Sequence, residues 1–311
     1  MIPFLLILCI LFVIMIGLIV HETGHFIFAK LFKVSVKEFA IGIGPTIFTH
    51  QFKNTKFSWN LLPIMAFVRI DSHKSLRLFG ELRNDYAMER DEYFEKNKSR
   101  ILKKRSGFFV KKNGKFVFEN NFFIYNKYLS LDNKVKKYEL FSTRLENSLI
   151  VDDIAKWKQL IIYFGGIFFN LILFGIFYLV QYFGLKYYQS PINQVGESFL
   201  LVLKNMVFYN AWGGEKTPGT AFGSVAELGG KVKLDNIPLI IVNYFAIFNL
   251  MLFFFNFVPI PPLDGYKIAT TTFSSFSKIK VPEKAKNTIE VIGLLLMIYI
   301  FITSIIADFL V

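Results

Sequence analysis

Residues 1–20 carry no charged side chain, are almost wholly apolar, and run without a break into His21-Glu22-Thr23-Gly24-His25. A run of this length and character crosses a hydrocarbon core of roughly 30 Å as a helix. The two histidines are four positions apart, so on a helix they are rotated by only about 40° and separated by roughly 6 Å along the axis. Both imidazoles therefore reach one ion. Glu22, beside the first of them, is placed to act as a general base toward water. The pattern describes a metal-ligand pair at the end of a membrane span.

The rest of the chain agrees with a bilayer as solvent. Of 311 residues 53% are hydrophobic and 38 are Phe, which is too apolar for an ordinary soluble domain. The expected fold class is an α-helical polytopic membrane protein with about four transmembrane helices, a membrane-associated β-hairpin loop and a cytoplasmic insertion. Apolar runs at 160–183, 237–258 and 291–307 join the first as candidate spans, the last being the shortest. The first run has no basic residue ahead of it and no small-residue cleavage site behind it, so it reads as a span and not as a secretory signal. Lys30, Lys33 and Lys37 follow it, which places that end in the cytoplasm and the amino terminus outside. Cys9 sits within the apolar run and reads as a small buried hydrophobe. The net charge of +13 does not indicate nucleic acid, because the basic residues gather in loops beside spans, where orientation and contact with the lipid bilayer account for them. Nothing in the pattern specifies an oligomeric state.

Segment boundaries follow from these runs. Residues 1–29 form transmembrane helix 1 and residues 30–70 the membrane-associated β-loop, with Thr46-Ile47-Phe48 and Lys56-Phe57-Ser58-Trp59 as strand-like runs. Residues 71–157 are a basic, solvated cytoplasmic insertion, and 158–183 are transmembrane helix 2. An outer loop at 184–236 contains an apolar-faced segment, 198–212, suited to the membrane interface. Transmembrane helix 3 occupies 237–266, a cytoplasmic segment 267–288 and transmembrane helix 4 289–311. Spans one and three run in the same direction, so their far ends reach the same depth near the cytoplasmic face.

A catalytic zinc takes three protein ligands and leaves a fourth position open, so the two histidines need a partner. His50 and His73 lie in the loop region. Asp264 is the better candidate, because Pro259, Pro261 and Pro262 break the third span just before it and Gly265 permits a turn just after it. Irregular backbone at membrane depth marks a site, and an ionisable residue there is a functional candidate. The blander reading of Asp264 is a cap on the following helix.

With His21-Glu22-x-x-His25 and Asn256-x-x-Pro259-x-Pro261-x-Leu263-Asp264-Gly265 in hand, the chain resembles the site-2 protease family of intramembrane zinc metalloproteases in its bacterial form. Phe39-Ala40-Ile41-Gly42-Ile43-Gly44-Pro45 with Leu61-Leu62-Pro63-Ile64 is similar to the family's β-loop, and Gly165-Gly166-Ile167-Phe168-Phe169-Asn170 to its Ala-Gly-Pro-x-x-Asn span. The resemblance implies zinc (Zn2+) held by His21, His25 and Asp264, with Glu22 as the catalytic glutamate. Three features depart from the family: Met65-Ala66-Phe67 stands where relatives have Gly-Gly-Tyr, Gly166 replaces a proline, and 184–236 is too short for the PDZ domain that many bacterial members carry.

The expected activity is hydrolysis of peptide bonds within or near transmembrane segments of membrane proteins or signal-peptide remnants. Asn256 is expected to hydrogen-bond substrate backbone or the developing oxyanion. The β-loop, through Phe48, Leu62, Pro63 and Phe67, is expected to hold an unwound substrate segment by strand addition. Two other functions compete: a catalytically silent relative that only binds membrane proteins, and a transporter or ion-binding protein, against which the lack of internal repeats counts.

Overall fold

The structure is a computed structural model that describes residues 2–102, 107–112, 115–120, 122–143, 148–180, 237–276 and 282–310. The expected outer loop 184–236, with its interfacial segment 198–212, lies outside the described residues. Among those that are described, the chain is mostly helical, with seven helices and two two-stranded sheets. It divides into two compact units: residues 1–32, 38–69 and 154–311 form one, and residues 33–37 and 70–153 the other.

In the first unit, helix α1 (Ile2–Leu31) carries the histidine pair in its last third. Strands β1 (Val36–Phe52) and β2 (Thr55–Ile70) form a hairpin through a two-residue turn, with Lys53 in the left-handed region at φ 49°. Both strands extend well beyond the short runs seen in the sequence, and β2 continues through Met65-Ala66-Phe67 without a turn. A trio of rings ties the hairpin to α1: Phe26 meets Phe39 and Phe57 edge-on at 5.7 Å each, and Phe39 stacks on Phe57 at 5.8 Å. Such pairs contribute about 0.5–1.5 kcal/mol each beyond their buried area. They fix the strands one residue beyond His25.

Helix α4 (Lys156–Leu179) packs on α1 and on α5 (Ile237–Phe257). Against α1 the contact is backbone on backbone: a methyl group on Gly24 would collide with the Gly165 carbonyl. Small residues permit such close approach between helices in a bilayer. Against α5 the contact is apolar, with Phe174, Ala246 and Leu250 buried together and Phe177 on Phe245 at 4.4 Å. After α5 the chain breaks at Val258-Pro259-Ile260-Pro261-Pro262-Leu263, as the prolines require, and resumes as α6 (Asp264–Phe276) and α7 (Glu283–Leu310). α1 between residues 12 and 31, and α4, are long and apolar enough to cross a membrane. Phe12, Leu171, Ile176, Ile292 and Leu295 point outward and are exposed. Outward apolar side chains suit hydrocarbon, not water, as the surrounding medium.

The second unit is the basic insertion, and it is ordered around a helical hairpin that its composition does not announce. Helix α2 (His73–Leu102) packs on α3 (Phe122–Ser142), and β3 (Gly107–Lys112) pairs antiparallel with β4 (Lys115–Asn120). Ser72 and Ser75 exchange side-chain bonds to each other's amides at 3.0 and 2.9 Å, capping the start of α2. Between the two helices runs an aromatic seam, in which Tyr86 stacks on Tyr138 at 5.4 Å and Phe79 meets Phe141 at 5.5 Å. Lys37 is buried beside Asp71 at 3.6 Å and donates to the carbonyls of Leu140 and Thr143. Burial pushes its ammonium below the usual lysine value, and Asp71 opposes that shift.

Asp132 links the two helices, accepting from Arg90 at 3.1 Å and Lys136 at 2.8 Å. The Lys136 ammonium holds the Asp132 carboxyl below the ordinary value of 3.8; partial burial opposes this and Arg90 reinforces it. A carboxylate depressed in the folded state stabilises it at neutral pH and loses that contribution as pH falls through the folded value. Protection of the α3 amides, taken as the slowing of exchange relative to the intrinsic rate at the same pH, is therefore expected to fall as pH drops below about 4. Asp132→Asn is expected to flatten that dependence at a cost under about 1 kcal/mol, since the partners are partly solvated. Identical pH profiles for the two chains would remove the linkage.

Candidate metal centre

Three side chains remote in sequence converge inside the first unit. His21 and His25 come from the same face of α1, and Asp264 from the first turn of α6, directly after the proline break. Asp264 Oδ2 lies 3.0 Å from His21 Nε2 and 2.9 Å from His25 Nε2, and the two Nε2 atoms are 3.2 Å apart. All three residues are buried. Among the described residues this is the one cluster of three or more potential ligands.

The cluster fits a tetrahedral zinc. Donors at about 2.0–2.1 Å from such an ion stand about 3.3–3.4 Å from one another, so the observed triangle needs an expansion of less than about half an ångström. Two imidazoles and one carboxylate are also the donor types that zinc takes in catalytic sites. Space is kept on the α4 side by Gly166, where a Cβ would stand 2.5 Å from His25 Nε2 and 2.6 Å from His21 Nε2.

Each of these donors is oriented from behind. His25 Nδ1 donates to the Ile162 carbonyl of α4 at 2.7 Å, which assigns the proton to Nδ1 and leaves the lone pair of Nε2 facing the cluster. Asn170, on the next turns of α4, meets His21 Nδ1 at 2.9 Å. Asp264 turns its second oxygen, Oδ1, to Lys267 Nζ at 3.0 Å. Glu22, between the histidines, accepts the Val68 backbone N–H of β2 through Oε2 at 3.0 Å. The candidate base is thus held by the edge of the hairpin.

The other singled-out residues lie elsewhere. The Asn256 amide donates to the Leu252 carbonyl one turn earlier on its own helix, at 3.0 Å. Phe48, Leu62 and Pro63 are exposed along the hairpin, and Phe67 is half-buried with Arg69 over its ring at 5.7 Å. His50 is exposed on β1, and His73 begins α2 and pairs with Asp153 at 2.8 Å. Four contacts escaped the sequence reading. Asn170 was visible only as part of the Gly-Gly-Ile-Phe-Phe-Asn stretch, and Lys267 only as one of several basic residues. The Ile162 carbonyl and the Val68 amide carry no residue-type signal at all, since every residue but proline offers both groups.

Comparison with known proteins gives one family and a set of bacterial relatives. The sequence model described as Peptidase family M50 matches residues 9–300. "Putative zinc metalloprotease FN1322" of Fusobacterium nucleatum subsp. nucleatum is 43% identical over 77 residues, covering 24% of this chain and 22% of that protein. A Thermotoga maritima protein described as "Putative zinc metalloprotease" is 47% identical over 82 residues, 26% of this chain and 14% of its own length. "Probable protease eep" of Enterococcus faecalis is 50% identical over 62 residues, 19% of this chain and 15% of its own length. The matched stretches therefore span less than a quarter of these relatives.

Proposed function

Because the chain belongs to peptidase family M50, whose members are embedded in membranes, we propose that it is a site-2-type intramembrane zinc metalloprotease, acting within or near transmembrane segments of membrane proteins or signal-peptide remnants. The observation that carries this reading is the convergence of His21, His25 and Asp264 next to Glu22. In this reading His21, His25 and Asp264 hold the zinc. Bound there, the metal supplies Lewis acidity, polarising the scissile carbonyl and easing deprotonation of water near neutral pH.

The remaining steps belong to side chains. Glu22 takes the proton of the attacking water and hands it to the leaving amine nitrogen, so the same carboxylate serves as base and then as acid. Burial of the cluster keeps bulk water away and strengthens each charge interaction within it. Asn256 swings from the Leu252 carbonyl to hydrogen-bond substrate backbone or the developing oxyanion. A substrate helix must unwind before its carbonyls are reachable, and the hairpin offers an edge for the extended segment, with Phe48, Leu62, Pro63 and Phe67 beside it. The support for this is the exposure of Phe48 and Leu62, together with the Val68 contact to Glu22. In the same reading the chain crosses the membrane four times with its amino terminus outside, the site lies near the cytoplasmic face, and 71–157 is a cytoplasmic insertion.

The test is removal and return of the metal. Full-length chain in detergent is expected to contain about one zinc per molecule and to cut a reporter transmembrane peptide. Dialysis against a strong chelator is expected to abolish both, and stoichiometric zinc to restore cleavage. A chain that takes up no zinc, or that cuts equally well after its metal is stripped, is not this enzyme.

A further inference from the structure

We infer that Lys267 is a positioning residue that reserves one oxygen of Asp264, so that this carboxylate meets the metal through the other oxygen alone and the fourth position stays free for water; the inference rests on the metalloprotease reading above. The two oxygens of Asp264 face different partners. Oδ2 is turned to both imidazoles, 3.0 Å from His21 Nε2 and 2.9 Å from His25 Nε2. Oδ1 accepts from Lys267 Nζ at 3.0 Å. The lysine is placed by the helix it shares with Asp264: residues three apart on α6 are neighbours on one face, so Nζ reaches back to the carboxylate from the following turn. The Lys267 side chain is half-exposed, yet its ammonium lies over the Tyr163 ring of α4, 5.9 Å from its centre, which keeps the charged head beside the cluster.

A carboxylate gives a metal one oxygen or two. Two histidines and a single carboxylate oxygen make three donors and leave a tetrahedral ion one open position. A second oxygen from Asp264 fills that position and shuts water out. Lys267 opposes this, because a charge-assisted hydrogen bond fixes the rotation of the carboxylate, and swinging Oδ1 toward the histidines breaks that bond. The same ammonium is a positive charge close to a cation site, where it weakens metal binding. Lys267 therefore lowers affinity for the metal while preserving the place where the attacking water must stand.

The expected signature is a split between binding and reaction. Lys267→Met keeps a long, flexible side chain and removes the charge. In full-length chain in detergent, its zinc affinity, measured by competition with a chromophoric chelator, is expected to equal or exceed that of wild type, since a cation is lost and a donor oxygen gained. Its kcat on a reporter transmembrane peptide at saturating zinc is expected to fall about 10–100-fold, with KM little changed. Lys267→Arg, which still offers Oδ1 a cationic donor, is expected to restore most of kcat. Cobalt in place of zinc gives a readout that needs no turnover: four-coordinate cobalt absorbs visible light more strongly than five-coordinate, so Lys267→Met is expected to lose intensity that wild type and Lys267→Arg keep. Overturning results are a zinc affinity that falls in step with kcat in Lys267→Met, an unchanged kcat in that variant, Lys267→Arg as impaired as Lys267→Met, or identical cobalt spectra for wild type and Lys267→Met. Wild-type chain that binds no zinc or cuts nothing overturns the protease reading and this inference together; the other four results overturn this inference alone.

Discussion

Glu22→Gln is expected to leave zinc content unchanged and to slow cleavage of a transmembrane reporter by about 10²–10⁴-fold, the range that a positioned proton-transfer group contributes. The substitution is nearly isosteric. Glutamine still has a carbonyl oxygen to accept the Val68 N–H that Glu22 accepts at 3.0 Å, so the side chain stays where it is. It also stands outside the triangle of His21, His25 and Asp264, so the ligand set is untouched. What disappears is the ability to take a proton from water. Zinc measured by elemental analysis and cleavage measured by mass spectrometry on the same preparation decide the matter. Cleavage within tenfold of wild type would remove Glu22 from the reaction, and parallel loss of metal would make it a structural partner of the ligands.

The second large effect is steric and comes from Gly24→Val. A Cβ at Gly24 would stand 2.5 Å from the Gly165 carbonyl carbon and 2.9 Å from the Gly166 nitrogen, where nonbonded carbon atoms prefer about 3.5–4.0 Å. Backbone cannot yield as a flexible side chain does, so α1 and α4 must move apart by about an ångström or more. That separation pulls His25 away from the Ile162 carbonyl and His21 away from Asn170. With both outer partners lost, zinc affinity is expected to fall by more than about 100-fold, with Gly24→Ala showing a smaller loss in the same direction. Gly175→Ala, where an added Cβ meets nothing within 4 Å, serves as the control on α4 and is expected to bind zinc as wild type does. Full zinc binding by Gly24→Val would mean that the helices do not rely on this contact.

What could be read in advance, and what could not, follows from which interactions select a residue type. The convergence of His21, His25 and Asp264 beside Glu22 was legible because the proposed metal ligation and proton transfer admit few side chains, and because a helix sets the four-residue spacing. The proline break ahead of Asp264 was legible for a related reason: proline leaves the helical backbone little choice. The hairpin was legible in outline only. Its strands extend past the short runs at Thr46-Ile47-Phe48 and Lys56-Phe57-Ser58-Trp59 because ring contacts with Phe26 and a ladder of backbone bonds set its length, and neither leaves a clean alternation. The insertion looked like a wet, basic stretch. Its order comes from Tyr86, Tyr138, Phe79 and Phe141 meeting across α2 and α3, contacts between segments that no single helix pattern displays. Support from the Ile162 carbonyl and the Val68 amide was invisible in principle, since main-chain groups are common to nearly every residue.

The tie between Glu22 and Val68 bears on how such an enzyme would choose its cutting point. Because Glu22 accepts a main-chain hydrogen of β2, the proposed base and the rail along which a guest strand would lie would share one coordinate frame. Selection would then work like a ruler, counting residues along the guest from the strand's edge, with side-chain identity mattering chiefly for how readily the guest uncoils.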